Sequence, residues 1–192
     1  MTPNRLSLLV LTLCLSVTGC SSVINASRDK PIEDDRGTRT FGSKIDDSLI
    51  ETKAAVNISK ANPDLAEGSH IVVTSFNGIV LLAGQVPRAD LKAIAEQAAS
   101  SVQRVKKVNN ELQVMAPSSL LARNNDAWLT TKVKSQMIAD ASIPGSRIKV
   151  VTENGIVFLL GLVTQDEANR ATNLVQGVSG VQKIVKLFEY ID

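Results

Sequence analysis

Few side chains in this 192-residue chain are of types that carry out covalent, proton-transfer or metal chemistry: two cysteines, Cys14 and Cys20, and one histidine, His70. Any Ser-His-Asp relay or His-ligated metal would have to use His70. Three adjacent carboxylate pairs, Asp34-Asp35, Asp46-Asp47 and Asp166-Glu167, are the candidates for an acid–base dyad. Each has a plainer reading. Asp34-Asp35 lies in a polar stretch without apolar period, and the other two pairs stand where helices are expected to open, a place that favours negative charge. No Gly-rich phosphate loop is present. The residue inventory therefore predicts a protein that is not an enzyme and needs no metal, cofactor or small-molecule substrate.

Cys20 has a different chemistry. Arg5 supplies a positive charge, Leu6 to Val17 form a mostly apolar run of twelve residues, and Thr18-Gly19-Cys20 follows. A basic start, a short apolar core and small residues before a cut describe an export signal, and the run is short of the ~20 apolar residues that span a membrane. Val17-Thr18-Gly19-Cys20 resembles the lipobox of bacterial lipoproteins, in which the cysteine becomes the acylated first residue of the mature chain. The cut removes Cys14, so Cys20 has no disulfide partner and no other thiol is left for a metal or a nucleophile. The resemblance implies a covalent lipid on Cys20, an N-acyl chain and an S-diacylglycerol. One acyl chain alone anchors marginally, so several are needed for a lasting attachment. Ser21 in place of Asp favours the outer membrane by the sorting rule of these lipoproteins, with the folded part facing the periplasm. Without residues 1–19 the chain loses one of its 21 basic residues against 19 acidic ones. A near-neutral chain with 3% aromatics lacks the basic footprint and the stacking platforms of a nucleic-acid binder.

The elements that position everything else come from an internal repeat. Asn77-Gly78 and Asn154-Gly155 lie 77 residues apart, each between apolar runs. Asn-Gly in that setting is the strongest short-range hairpin signal, because both central residues of a type I′ turn need positive φ. The flanks repeat too: Val73 to Gly84 parallels Val151 to Gly161 with one extra residue before the first turn, Asp47 to Ala54 parallels Asp126 to Val133, and Val105 to Val108 parallels Val181 to Ile184. Each copy reads as a helix opened by an Asp cap (Asp47, Asp126), two strands across the turn, a second helix and a last strand (Lys107–Val114, Gln182–Ile191), in the order αββαβ. The second and third strands should be parallel, as a strand–helix–strand crossover requires. The organisation is then a signal peptide at 1–19, a lipidated tether at 20–44, one module at 45–115, a linker at 116–124 and a second module at 125–192. His70 falls opposite Arg147 in the repeat, which reads as a solvated basic position. Ile79–Ala83 and Ile156–Leu160 are apolar without alternation, so both sheet faces should be covered. The two modules are expected to pack on each other. Asn77, Gly78, Asn154 and Gly155 are the structural turn residues, and Gly84 and Gly161 are expected to end matching strands.

These modules resemble BON domains through the helix opening, the Asn-Gly-x-Val-x-Leu-x-Gly hairpin and the opening of the last strand, twice over across residues 45–192. The resemblance implies an α+β fold, each module a small three-stranded mixed sheet with two helices. Two such modules behind a lipobox are similar to the dual BON-domain outer-membrane lipoproteins of proteobacteria. That similarity implies binding of anionic membrane phospholipid, enrichment at division sites and support of envelope integrity. An alternative role is a protein-interaction subunit of an outer-membrane assembly or secretion machine.

The first helix of the second module can be read for such a site. At about 100° per residue, Leu129, Val133 and Met137 form one stripe suited to a core. Trp128, Thr131, Lys132, Ser135 and Ile138 fall roughly opposite, with Lys134 nearby. Trp prefers the water–membrane interface, and each lysine gains about 1 kcal/mol from anionic headgroups. The pattern leaves open whether Trp128 faces lipid, enters the core or packs between the modules. The first module has Leu49, Val56 and Ser59 where the second has Trp128, Ser135 and Ile138, so specialisation is expected in the second.

Overall fold

The computed structural model describes residues 37–192. The signal peptide, Cys20 and the tether as far as residue 36 lie outside the described residues. The described residues form one compact unit.

The first module begins with α1, Phe41–Ala61, capped by Thr40, whose Oγ1 accepts from the Ser43 amide at 3.1 Å. Asn62 and Pro63 end it and start a short α2, Pro63–Glu67, with Pro at the first helical turn where its missing N–H costs nothing. Strands β1 (His70–Phe76) and β2 (Ile79–Val86) form an antiparallel hairpin, and α3 (Asp90–Ser100) crosses to β3 (Lys107–Val114), parallel to β2. The second module repeats this: α4 (Leu120–Ala139), a 3-10 turn at Gly145–Arg147 in place of α2, β4 (Ile148–Glu153), β5 (Ile156–Val163), α5 (Gln165–Gln176) and β6 (Lys183–Tyr190), with the same pairing. The expected α+β modules, their hairpins and the parallel last strand are all present.

Three expectations need correction. Helices α1 and α4 open at Phe41 and Leu120, six residues before Asp47 and Asp126, with Thr40 and Ser119 as caps, so α1 starts inside the segment read as tether and α4 inside the segment read as linker. Asp47 and Asp126 are therefore not caps; both are buried in mid-helix. No extra residue precedes the first turn: Ile71 pairs with Gly84 and Ile148 with Gly161, so the hairpins superpose at one constant offset. Finally, Gly84 and Gly161 lie within β2 and β5, two residues short of their ends. A Cβ on Gly84 would stand 2.0 Å from the His70 carbonyl oxygen at a φ of +122°, so close strand approach demands glycine there.

Two cores hold the modules individually. In the first, Ile50, Ala54 and Ile58 of α1 meet Val80 and Leu82 of β2 and Leu91, Ala95 and Ala99 of α3. Leu129, Val133 and Met137 do the same in the second, against Val157, Leu159, Ala168, Ala171 and Val175. The alternate residues of the central strands, Leu81 and Ala83 with Phe158 and Leu160, form a third core with Phe76 between the two sheets. The non-alternating strands are thus covered on both faces, and the modules pack sheet against sheet. Layers run helices, sheet, sheet, helices. Reciprocal bonds confirm a pseudo-twofold relation: Asn77 Nδ2 donates to Glu189 of β6 at 2.9 Å, and Asn154 Nδ2 donates to Gln113, the equivalent residue of β3, at 3.2 Å.

Candidate functional site

The surface that gathers the predicted binding residues is the outer face of α4. Ser119 caps this helix through Oγ to the Ala122 amide. Asp126, Leu129, Val133 and Met137 then point inward at helical spacing. The opposite face is left to solvent, and Trp128 is 68% exposed and Ile138 75% exposed. Trp128 therefore belongs neither to the core nor to the contact between modules. Leu120 and Leu121 are exposed on the first turn, and Leu121, seven residues before Trp128, continues its stripe. Placing the helix start at Asp126 hid both leucines; the signal that would have found them is Ser119 three residues ahead of a free amide.

The polar members sit around this stripe. Thr131 Oγ1 donates to the Ala127 carbonyl at 3.0 Å and Ser135 Oγ to the Lys132 carbonyl at 2.9 Å, so both hydroxyls are satisfied by the helix itself. Lys132 is half-buried, its Nζ donating to the Ser179 carbonyl oxygen at 3.2 Å. Lys134 is exposed. At about 100° per residue the two lysines flank the apolar stripe on opposite sides. The only carboxylate of α4, Asp126, is turned inward.

Asp126 has a task of its own. Its Oδ2 accepts from the Asn154 amide at 2.7 Å and its Oδ1 from the Gly155 amide at 2.9 Å. With Asn154 at φ 51° and Gly155 at φ 72°, the turn points both amides at the helix. Asp47 holds the first turn in the same way, accepting from Asn77 N at 2.8 Å and Gly78 N at 2.9 Å, and also from the Ser75 hydroxyl at 2.7 Å and Arg39 Nη1 at 2.5 Å. The Arg39 guanidinium also lies 3.7 Å above the Phe76 ring. Burial pushes the Asp47 carboxyl up, but the bonds from Gly78, Ser75, Asn77 and Arg39 outweigh it and hold it below the ordinary carboxylate range.

Between Trp128, Lys132 and the tethered turn opens a shallow cleft of about 380 Å³, bordered by Asn125, Ser179, Gly180 and Gln182. The same place in the first module is built differently. There the equivalents of Asn125 and Gly180 are Asp46 and Arg104, which form an ion pair across the opening. Both clefts are open, the first at about 420 Å³, and they differ in that substitution at two positions lines the first with a salt bridge and leaves the second free of it.

The remaining chemical candidates resolve structurally. His70 is half-buried rather than solvated, its Nε2 3.5 Å from Oε2 of Glu153 in the other module. Glu153 also accepts from Gln85 Nε2 at 2.9 Å, and Gln85 Oε1 accepts from the Ser118 amide at 2.9 Å. A buried, hydrogen-bonded set at the module boundary fixes the register of the sandwich. Arg147 pairs with Glu167. Glu167 and Thr164 form a capping box at the start of α5, as expected of Asp166-Glu167. Asp46 is held by Arg104 and Asp47 by the turn, which accounts for that pair.

The family model of the BON domain matches residues 46–116 and again 125–192, and the chain belongs to the BON-domain family, as a dual-module outer-membrane lipoprotein. It is 38% identical over all of its length to the outer membrane lipoprotein DolP of Haemophilus influenzae, covering 99% of that protein. It is also 33% identical, over 80% of its length and 78% of the relative's, to a protein named 21 kDa hemolysin from Actinobacillus pleuropneumoniae. Among solved structures, the C-terminal domain of CdsD, a structural protein of the type III secretion system of Chlamydia trachomatis, aligns over 76% of this chain and 67% of its own at 14% identity and a TM-score of 0.30. Among the described residues no helix is long and apolar enough to cross a membrane.

Proposed function

We propose that this lipoprotein binds anionic phospholipid at the periplasmic surface of the outer membrane through the outer face of α4, and that it supports envelope integrity at division sites. The acyl chains on Cys20 give attachment without selectivity; the helix adds recognition. The observation that carries this reading is a tryptophan 68% exposed on a helix whose one carboxylate is buried. An apolar stripe flanked by lysines, with no outward acid, is the pattern of a helix lying in a membrane interface. Sinking Leu121, Trp128 and Ile138 among acyl chains gains roughly 1.5–3 kcal/mol each, and Lys132 and Lys134 add about 1 kcal/mol apiece near anionic headgroups. A headgroup phosphate entering the cleft takes over the Lys132 ammonium from the Ser179 carbonyl as a stronger, charge-assisted acceptor. The anchor keeps local concentration high, so a modest intrinsic affinity suffices.

Trp128 is the only tryptophan in the chain, so its emission reports the contact directly. The test uses the chain from residue 20 onward with Cys20→Ser and vesicles of phosphatidylglycerol or phosphatidylcholine. Expected are a blue shift and co-sedimentation with phosphatidylglycerol alone, the co-sedimentation weakened in Trp128→Glu. Unchanged sedimentation of a folded Trp128→Glu variant refutes the lipid reading and turns the exposed tryptophan into a protein contact.

A further inference from the structure

We propose that the first module carries a second lipid-binding face, the outer side of α1, directed away from the Trp128 face, so that the folded modules can join two anionic bilayer surfaces. This inference rests on the reading of α4 for one of its two contacts.

The starting observation is a row of unpartnered apolar side chains on α1. Phe41 is 78% exposed, Leu49 50% and Val56 52%, with Ile45 beside them. With Asp47, Ile50, Ala54 and Ile58 buried on the inner side, these four fall together on the outer side at helical spacing. Leu49 and Val56 stand where the second module has Trp128 and Ser135. Module one is thus not a silent copy; its outer helix is aliphatic where the other is aromatic.

Charge identifies the occupant. All three carboxylates of α1 are engaged in ion pairs: Asp46 with Arg104, Asp47 with Arg39 and also the hairpin turn, Glu51 with Lys149 at 2.6 Å. Lys44, Lys53 and Lys60 are exposed and take part in no ion pair among the described residues. An apolar row whose unpaired charges are all lysines suits an anionic lipid surface. A second copy meeting this helix face to face would set lysine against lysine, which disfavours self-association through it.

Layering fixes the direction. Helices α1 and α4 each cover the outer face of their own sheet, and the inner faces of the two sheets meet in the Phe76–Leu81–Phe158–Leu160 core. The exposed sides of α1 and α4 therefore look out from opposite sides of a four-layer body roughly 40 Å thick. One flat bilayer cannot take both. Twenty residues lie between Cys20 and Phe41, a contour of about 70 Å, longer than the body is thick. Either face can accordingly rest on the anchoring membrane while the other is presented to an opposing one.

The test mixes the Cys20→Ser chain from residue 20 onward with phosphatidylglycerol vesicles, reading co-sedimentation for binding and dynamic light scattering for vesicle clustering. The wild-type chain is expected to do both. Leu49→Glu/Val56→Glu, and separately Trp128→Glu, should each still bind through the remaining face, weakened about twofold to severalfold, and cluster nothing. Lys53→Glu/Lys60→Glu, which alters no packed side chain, guards against a misfolded apolar variant and should also abolish clustering. Wild-type binding without clustering, or wild-type clustering by the folded α1 variants, overturns the proposal and leaves the α1 row to a protein partner. If Trp128→Glu is silent while the α1 variants lose binding, the α4 reading falls and the α1 face is supported.

Discussion

Replacing Asp47 with Asn should unfold this protein at distinctly lower temperature, and replacing Asp126 with Asn should cost less. The two residues occupy equivalent positions and each carries a hairpin turn, but their loads differ. Asp47 Oδ1 accepts from Gly78 N and the Ser75 hydroxyl, and Oδ2 from Asn77 N and Arg39. An amide placed with its oxygen at the Oδ1 position turns its NH2 on the Asn77 amide and the Arg39 guanidinium, so two donors lose their acceptor, one of them charged. A buried donor left without a partner costs about 1–3 kcal/mol, which gives roughly 3–5 kcal/mol for the pair. At Asp126 the same substitution sets the NH2 against a single donor, the Asn154 or the Gly155 amide, for about 1–3 kcal/mol. In a unit of this size 1 kcal/mol moves Tm by about 2–4 °C, so Asp47→Asn should lower it by about 10 °C and Asp126→Asn by about half that or less, read by circular dichroism at pH 7. The pH dependence follows the same carboxylate. Because the folded Asp47 titrates below the ordinary Asp value of about 3.9, its contribution is complete above that value and is lost as pH falls through the lower, folded one. The wild-type advantage over Asp47→Asn should therefore shrink as pH falls below about 4. Equal losses at the two positions, or an Asp47→Asn chain as stable as wild type, would refute the assignment of these aspartates as turn anchors.

Two further outcomes test the site and its support. Asn125→Asp/Gly180→Arg rebuilds the first module's ion pair across the second module's cleft, and Arg104 at φ 74° shows that arginine can occupy this backbone conformation; vesicle binding should weaken several-fold with Tm lowered only slightly, and undiminished binding would show that the headgroup does not use the cleft. Phe158→Ala empties the centre of the inter-sheet core, where Phe158 is 1% exposed, and should cost about 3–5 kcal/mol in urea unfolding, whereas a negligible loss would mean that the modules are stable without each other.

The parts legible in the sequence were those specified by local chemistry. Asn-Gly demanded positive φ and gave both hairpins; the non-alternating strands demanded two covered faces and gave the sandwich. The Trp128 stripe was legible as a face, and its exposure resolved what periodicity left open. Two kinds of feature were hidden. The helix starts were misplaced because Asp47 and Asp126 have the chemistry of N-caps, and a carboxylate serving amides 30 residues away cannot be told from one serving its own helix by type alone. The network of His70, Gln85, Ser118 and Glu153 was hidden because its members come from both modules and the linker, and nothing in their spacing requires them to meet. His70 was misjudged on this account: Arg147, its counterpart, pairs with Glu167 inside its own module, while His70 faces the other one.

Those exceptions share a cause. A duplicated module packed on its copy through a pseudo-twofold axis sets each residue near that axis against its own equivalent, and identical side chains seldom complement each other there. Phe76 and Glu153 occupy the same place in their hairpins, opposite Ile79 and Ile156. One became part of the inter-sheet core and the other the buried acceptor for Gln85. Two phenylalanines would crowd the boundary and two glutamates would bury unpaired charge, so symmetry had to break where the modules touch. On the outer helices no such constraint acts, and divergence there follows what each face contacts. Leu49 against Trp128, and the Asp46–Arg104 pair against Asn125 and Gly180, are changes that the packing does not need. Positions that differ between copies without a partner in the other copy are therefore the ones where the proposed binding is to be tested, and they lie around the α4 cleft and along the outer face of α1.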